Sequence, residues 1–332
     1  MNISTLTFLI TLIIGTLIAV SSTSWFGVWM GLELNLLSFI PLMTQSNKYS
    51  SEAALKYFLT QAFASAVLLM GLMSFYMSTM SPSTTTILFT QIVTFAVLTK
   101  MGAAPLHFWF PEVSNGLAWT PNMILMTWQK IAPFIILFYL NMHTMIMMIV
   151  VISCALIGAL GGFNQISLRK ILAFSSINHM AWMIMSVSAS QTLWILYFII
   201  YSIMTLTMMN FFLNHNLSTL QQLPNISPTS SLEPFLISFN MLSMGGLPPF
   251  LGFLPKWMVM EHMINHGYFL VAFTMICLTL IVLYFYLRIT YTYFMYFSTS
   301  LKPMIKNTIP LNFWLLWISL SGLIVCPCVI FW

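Results

Sequence analysis

Negative charge is the scarcest feature of this sequence. Its 332 residues include no aspartate, and Asp and Glu together number five. All charged residues together make up 5% of the chain, whereas soluble domains carry roughly a quarter. Hydrophobic residues account for 60%. This composition excludes a soluble globular protein and predicts an integral membrane protein.

Basic residues are also few, and they are dispersed along the chain. Lys and Arg number 10, and they form no run dense enough to neutralise successive phosphates of a nucleic acid. The net charge of +5 therefore does not indicate nucleic-acid binding. We expect no nucleic-acid partner.

Groups that bind metals or redox cofactors are scarce as well. The four cysteines lie in apolar runs and are Cys154, Cys277, Cys326 and Cys328. Cys326 and Cys328 would face different directions on a helix, which suits neither a disulfide nor a metal. His262 and His266 have the i, i+4 spacing of zinc helices, but no third ligand is evident. The sequence also lacks a Gly-rich phosphate loop. We expect no metal site and no redox cofactor in this chain.

Long apolar runs fill most of the sequence. A helix needs roughly 20 apolar residues to cross about 30 Å of hydrocarbon. This criterion predicts eleven spans, at residues 3–20, 24–44, 54–80, 85–115, 120–139, 143–160, 168–188, 191–213, 233–265, 268–297 and 309–330. No polar stretch between them is long enough for a soluble domain. The fold class is therefore an all-α polytopic membrane protein, with 1–332 as a single membrane domain.

The basic residues that we can assign to loops fall on one side of the predicted membrane. The loops that follow even-numbered spans contain Lys48, Lys56, Arg169, Lys170, Lys302 and Lys306. The positive-inside rule places this side, with the N-terminus, in the cytosol or the mitochondrial matrix. An odd number of spans places the C-terminus on the opposite side.

The fourth and ninth spans are too long, and each contains Gly and Pro in its middle. Met101-Gly102-Ala103-Ala104-Pro105 and Met244-Gly245-Gly246-Leu247-Pro248 share the pattern Met-Gly-x-x-Pro. Proline removes a backbone donor, so both helices should be interrupted within the bilayer. Because the interruptions lie five spans apart, they predict an inverted five-helix repeat of the kind found in transporters. Its halves would be 1–140 and 143–298, followed by a C-terminal helix at 309–332. Two ordinary proline kinks are the alternative.

Five ionisable residues are predicted to lie at membrane depth. They are Glu33, Lys100, Lys130, His179 and Lys256. Each costs at least about 2.5–3.5 kcal/mol at the bilayer centre. A structural hydrogen-bonding role or snorkelling toward the membrane surface could explain single members. As a set, they predict a proton relay across a helix bundle. Glu112 is predicted to cap the half-helix that follows Pro111, with a functional role as the alternative.

The energetics of a buried lysine suit such a relay. Burial penalises the charged amine, and a carboxylate at about 4 Å, with an effective dielectric constant near 20, returns about 4 kcal/mol. Because these terms nearly cancel, movement of the carboxylate would change whether the lysine keeps its proton.

Several motifs built on these residues resemble the antiporter-like membrane-arm subunits of mitochondrial NADH:ubiquinone oxidoreductase, respiratory complex I. The resemblance covers nearly the whole chain and weakens after about residue 290. The motifs are Trp29-Met30-Gly31-Leu32-Glu33, Glu52-Ala53-Ala54-Leu55-Lys56-Tyr57-Phe58, Pro105-Leu106-His107-Phe108-Trp109-Phe110-Pro111-Glu112-Val113, Trp128-Gln129-Lys130-Ile131-Ala132-Pro133, Ser175-Ser176-Ile177-Asn178-His179-Met180 and Gly246-Leu247-Pro248-Pro249-Phe250-Leu251-Gly252-Phe253-Leu254-Pro255-Lys256.

The resemblance implies a role for each predicted relay residue. Glu33 matches the glutamate that pairs with the lysine of the first broken helix, which is Lys100 here. Lys130 matches the bridging lysine of the next helix, and His179 matches a polar position on the central axis. Lys256 matches the lysine of the second broken helix, toward the proton exit. Together they would move protons from the matrix to the intermembrane space.

The resemblance also implies partners, cofactors and a location. The other membrane-arm subunits, with chains 4 and 4L as neighbours, and lipids including cardiolipin would surround the chain in the mitochondrial inner membrane. NADH, FMN, iron–sulfur clusters and ubiquinone would act in other subunits. Two alternatives remain open: a stand-alone cation/proton antiporter, and a scaffold subunit whose buried charges only fix helix packing.

Overall fold

The computed structural model describes residues 3–44, 47–76, 82–140, 142–225 and 233–297. These residues form thirteen α-helices and one short 3₁₀ helix, Leu220–Asn225, with no β-sheet among them. The α-helices are α1 Ile3–Ser21, α2 Trp25–Met43, α3 Lys48–Tyr76, α4 Pro82–Met101, α5 Trp109–Gly116, α6 Trp119–Met126, α7 Trp128–Leu140, α8 Thr144–Gly162, α9 Leu168–Ala189, α10 Gln191–Asn214, α11 Glu233–Gly245, α12 Phe253–Asn265 and α13 Phe269–Phe297.

The predicted membrane fold is confirmed. Within the described residues, 8 helical segments are long and apolar enough to cross a bilayer. They coincide with eight of the predicted spans, and α4–α5 and α11–α12 correspond to the two spans predicted to be broken. The predicted eleventh span, 309–330, lies outside the described residues. The chain is therefore an all-helical, polytopic membrane protein.

The helices group into two compact units, one up to Val150 and the other from Val151 onward. In the first unit, α1 and α2 pack tightly because both carry glycine at their contact. A Cβ atom at Gly31 would lie 2.4 Å from the backbone nitrogen of Ala19, and one at Gly15 would lie 2.9 Å from that of Asn35. Small residues of this kind let membrane helices approach closely.

In the second unit, α9 is the central helix. Of its predicted span, 83% is buried, the largest share among the candidate membrane helices of the described chain. Gly158 of α8 allows close contact with α9, since a Cβ atom there would lie 2.7 Å from the backbone nitrogen of Asn178. The Asn178 side chain also donates a hydrogen bond to the Ala155 carbonyl at 3.4 Å. These contacts fix the helix turn that carries His179.

Both predicted helix breaks are present, and the helices that precede them, α4 and α11, end in the same way. Gly102 and Gly246 have positive φ angles of 74° and 81°, a conformation that favours glycine. In each break the glycine N–H bonds to the carbonyl three residues earlier, and the next N–H bonds to the carbonyl five residues earlier. This is the Schellman pattern of helix termination. Gly102 and Gly246 therefore share a backbone conformation, whereas the pattern Met-Gly-x-x-Pro places Gly102 with Gly245.

Candidate functional site

At the first break, side chains from neighbouring segments satisfy the carbonyls at the end of α4. Gln61 on α3 donates from Nε2 to the carbonyl of Lys100 at 3.2 Å. Trp109, at the start of α5, donates from Nε1 to the carbonyl of Thr99 at 3.1 Å. Backbone groups freed inside a membrane need such partners. Because Gln61 lies near the middle of the 29-residue α3, the same bond places Lys100 at mid-helix depth.

At the second break, a lysine side chain donates hydrogen bonds to the carbonyls at the end of α11. Lys256, in the first turn of α12, donates from Nζ to the carbonyl of Gly245 at 2.9 Å and to that of Met244 at 3.3 Å. A Cβ atom at Gly246 would lie 2.8 Å from both Nζ and Cδ of Lys256. The amine therefore bridges the two halves of the broken helix through space that only glycine leaves open.

Lys100 and Lys130 share a small cavity in the first unit. Lys100 is 8% exposed and Lys130 is 1% exposed. The cavity has a volume of about 20 Å³, which is enough to hold one water molecule. Besides the two lysines, its polar lining consists of Asn35, Tyr57, Gln61 and Gln129. Both lysine side chains therefore border one water-sized space.

The Lys130 amine also lies against an aromatic ring. Its Nζ is 5.4 Å from the centre of the Phe110 ring, which is within the range of a cation–π interaction. Phe110 belongs to α5, directly after the first break. The break thus contributes to the environment of both lysines.

Glu33 lies near this pair of lysines without touching the cavity. Its side chain is half-buried, and its Oε1 atom is buried without a hydrogen-bond partner among the described residues. Its charge acts on both Lys100 and Tyr57. Glu33 and Lys100 nevertheless do not form a direct ion pair in the described structure. The predicted pairing partners therefore interact electrostatically without a direct contact between their charged groups.

In the second unit, His179 lies in a buried aromatic and hydroxyl cluster. It is 2% exposed, and its Nδ1 is 3.0 Å from the hydroxyl oxygen of Tyr197. The Tyr201 ring centre is 5.2 Å from that of His179. Both tyrosines are fully buried members of α10. Neither tyrosine was predicted from the sequence, although their i, i+4 spacing on a membrane helix could have indicated a shared polar face.

A second polar group in this unit surrounds the end of α11. Asn240 donates a short hydrogen bond to Thr207 of α10, and Ser243 contacts the Asn240 side chain at 3.2 Å. All three residues are buried. This group was not predicted from the sequence either, because none of its three residues is ionisable.

Glu112 has a different role from the one predicted. α5 begins without a side-chain cap, so the capping prediction for Glu112 was wrong. Its Oε2 instead lies 2.5 Å from Nζ of Lys56 on α3, and both side chains are more than half exposed. This ion pair joins α3 to the half-helix after the first break.

The candidate metal ligands of the sequence form a pair and no larger set. The ring centres of His262 and His266 lie 4.3 Å apart. Within the described residues, no group of three or more His, Cys, Asp or Glu could hold a metal ion. Cys154 is buried and Cys277 is exposed, and both are free thiols.

Comparison with known proteins places the sequence among membrane subunits. The family described as NADH:quinone oxidoreductase/Mrp antiporter, TM, matches residues 22–282. NADH-ubiquinone oxidoreductase chain 2 of Anopheles gambiae is 47% identical over 312 residues, which cover 92% of this chain and 90% of that protein. The protein of the same name from Aedes aegypti is 45% identical over 332 residues, which cover 98% of this chain and 97% of that protein.

The fold also matches a solved respiratory complex. A chain of respiratory complex I from Thermus thermophilus with bound aureothin aligns with a TM-score of 0.84 at 22% identity, covering 99% of this chain and 78% of that chain. This likeness concerns the fold, whereas the sequence relatives identify the family and confirm the resemblance of the motifs. The chain therefore belongs to the NADH:quinone oxidoreductase/Mrp antiporter family, among the relatives named NADH-ubiquinone oxidoreductase chain 2.

Proposed function

We propose that this chain is a proton-translocating membrane subunit of NADH:ubiquinone oxidoreductase. The observation that carries the proposal is the cavity lined by Lys100 and Lys130. Burying two amines in a membrane helix bundle costs free energy. The charge of Glu33 interacts with one of them, Lys100. Proton transfer through their shared water-sized space explains why both amines are kept buried.

In this proposal, Glu33 controls the proton on Lys100, and Lys130 receives it through the cavity. The aromatic cluster around His179 and the amine of Lys256 serve the same relay in the second unit, toward the exit. The Lys256 amine bonds to backbone carbonyls, which stabilise its charged form through charge-assisted hydrogen bonds. Release of its proton would weaken those bonds.

Translocation needs an energy source outside this chain. Moving one proton against about 100 mV costs about 2.3 kcal/mol. We infer that electron transfer from NADH to ubiquinone supplies it, with NADH, FMN, the iron–sulfur clusters and ubiquinone bound by other subunits. The partners are then the other membrane-arm subunits, with chains 4 and 4L as neighbours, and lipids including cardiolipin. The location is the mitochondrial inner membrane, with the basic loops in the matrix.

The test is Lys130→Met in the assembled complex, reconstituted into vesicles. We expect the number of protons moved per electron to fall while the complex still assembles, because methionine keeps the volume of lysine and removes only the ionisable group. Lys48→Met, the same change at an exposed lysine, should leave the ratio unchanged.

Three results would contradict the proposal. A normal proton-to-electron ratio in an assembled Lys130→Met complex would show that the lysine carries no proton. Loss of assembly together with pumping would instead support a scaffold role. Proton transport by the purified chain alone would favour an independent antiporter.

A further inference from the structure

The lining of the cavity between Lys100 and Lys130 contains neutral polar residues whose role is not explained by proton transfer between amines. Asn35 comes from α2, Tyr57 and Gln61 from α3, and Gln129 from α7. Asn35, Tyr57 and Gln61 are 3%, 3% and 5% exposed. Burying such groups is costly unless they are hydrogen-bonded, so their arrangement needs a reason.

The Gln129 amide is held at both ends. Its Nε2 donates to Oδ1 of Asn35 at 2.9 Å, and its Oε1 lies 3.5 Å from the hydroxyl oxygen of Tyr57, at the outer limit of a hydrogen bond. The three residues lie on three different helices. One amide group therefore fixes the start of α7 against α2 and α3.

The backbone of α7 is weak at the same place. α6 ends at Met126, and Thr127 interrupts the helix before α7 begins at Trp128. The N–H of Lys130 bonds to the carbonyl of Thr127 at 3.3 Å. Pro133 has no N–H, so it cannot donate to the carbonyl of Gln129. The turn that carries Lys130 thus has fewer backbone bonds than a continuous helix.

The same hydrogen bond links the segments of α2 and α7 that carry Glu33 and Lys130. Asn35 follows Glu33 by two residues on α2, and Gln129 precedes Lys130 directly on α7. The bond between Asn35 and Gln129 therefore ties together the turns of α2 and α7 on which Glu33 and Lys130 lie. An amide pair stays neutral throughout a pumping cycle, so it can hold these turns together while the charges beside it change.

We propose that Gln129 and Asn35 are positioning residues, whose side-chain hydrogen bond holds Lys130 beside the cavity that it shares with Lys100. This inference rests on the proposed function of the chain. It assigns to the two amides a role in coupling that goes beyond packing. Neither residue exchanges a proton itself.

The experiment compares variants of the assembled complex in vesicles. Gln129→Leu keeps the volume of the side chain and removes the bond. We expect its coupled proton flux to fall about fivefold, the factor that corresponds to one lost hydrogen bond of ordinary strength, and its pH profile to shift, because the environment of Lys130 changes. Gln221→Leu, the same change at an exposed glutamine, should match the wild type.

A swap variant separates positioning from packing. Asn35→Gln together with Gln129→Asn keeps the combined length of the two side chains, so the bond can form again. We expect each single change to lower the flux and the double change to restore it to within about twofold of the wild type, since well under one hydrogen bond is then lost. If Gln129→Leu fails to assemble, Gln129→Asn provides the comparison.

The inference is overturned if the assembled Gln129 variants keep the wild-type flux and pH profile, or if the swap performs no better than the single changes. Lys130→Met, measured in parallel, distinguishes this failure from failure of the proposed function. Normal pumping in Lys130→Met would sink the proposed relay. Impaired pumping in Lys130→Met with normal pumping in the Gln129 variants would sink only the positioning role.

Discussion

At the residue scale, Gly246 makes the space that the Lys256 amine occupies at the end of α11. A Cβ atom at Gly246 would come within 2.8 Å of that amine. Gly246 also has a φ of 81°, which other residues rarely adopt. The position of the Lys256 amine therefore depends on Gly246, and a substitution of the glycine should displace the amine.

We expect Gly246→Ala to displace the Lys256 amine and to lower both proton pumping and the stability of the complex. The positive φ alone costs an alanine roughly 1–2 kcal/mol. The neighbouring Gly245→Ala is the matched control, since its nearest foreign atom would be Leu283 Cδ1 at 3.3 Å. The melting temperature and the proton-to-electron ratio measure the two effects. Equal behaviour of the two variants would contradict this account.

The residues of the candidate site were predictable from sequence to different degrees. Lys100, Lys130 and Lys256 were found because an ionisable group in an apolar run is rare, and the structure buries all three. Their roles in a relay stay a prediction. Gln129 and Tyr197 were missed because neutral polar residues are common in membrane helices, and only the folded chain shows which of them meet.

At the element scale, the contact between α1 and α2 depends on glycine. We expect Gly31→Ala to separate the two helices, because its Cβ would lie 2.4 Å from a backbone atom that cannot rotate away. Overpacking of this kind costs typically about 1–3 kcal/mol. The adjacent Met30→Ala lies on an exposed face and should be tolerated.

Native gel electrophoresis of the assembled complex, with thermal unfolding of what assembles, would measure this difference. Wild-type assembly and stability in Gly31→Ala would show that α1 and α2 can separate without cost.

The helix breaks show what an amino-acid pattern can and cannot specify. Gly and Pro indicated both interruptions correctly, because each removes a specific feature that a helix needs. The pattern did not identify which glycine of the pair Gly245-Gly246 has the positive φ, since the two are chemically identical. It also did not predict the interruption at Thr127, between α6 and α7.

At the scale of the whole molecule, the distribution of basic residues predicts how the chain lies in the membrane. Lys48, Arg169 and Lys170 are close to the starts of α3 and α9, on the side that the positive-inside rule assigns to the matrix. The loop at Thr23, between α1 and α2, should then face the intermembrane space.

Cysteine labelling tests this orientation. We expect Thr23→Cys to react with a membrane-impermeant maleimide in mitochondria whose outer membrane has been removed, and Asn47→Cys to react only in inside-out particles. Both positions are exposed within this chain. Labelling of both variants in detergent controls for shielding by neighbouring subunits, and the wild-type signal accounts for the native thiols. The reverse pattern would invert the topology.

Among the candidate membrane helices of the described residues, α1 has the smallest buried share. Only 22% of the α1 span is buried, and Ile3, Leu6 and Leu17 are among its exposed side chains. Its inner face is tied to α2 by close contact, whereas its outer face meets no other residue of the described chain. Evolution can therefore adjust the outer face of α1 to the surrounding lipid or to a neighbouring subunit without disturbing the machinery behind it.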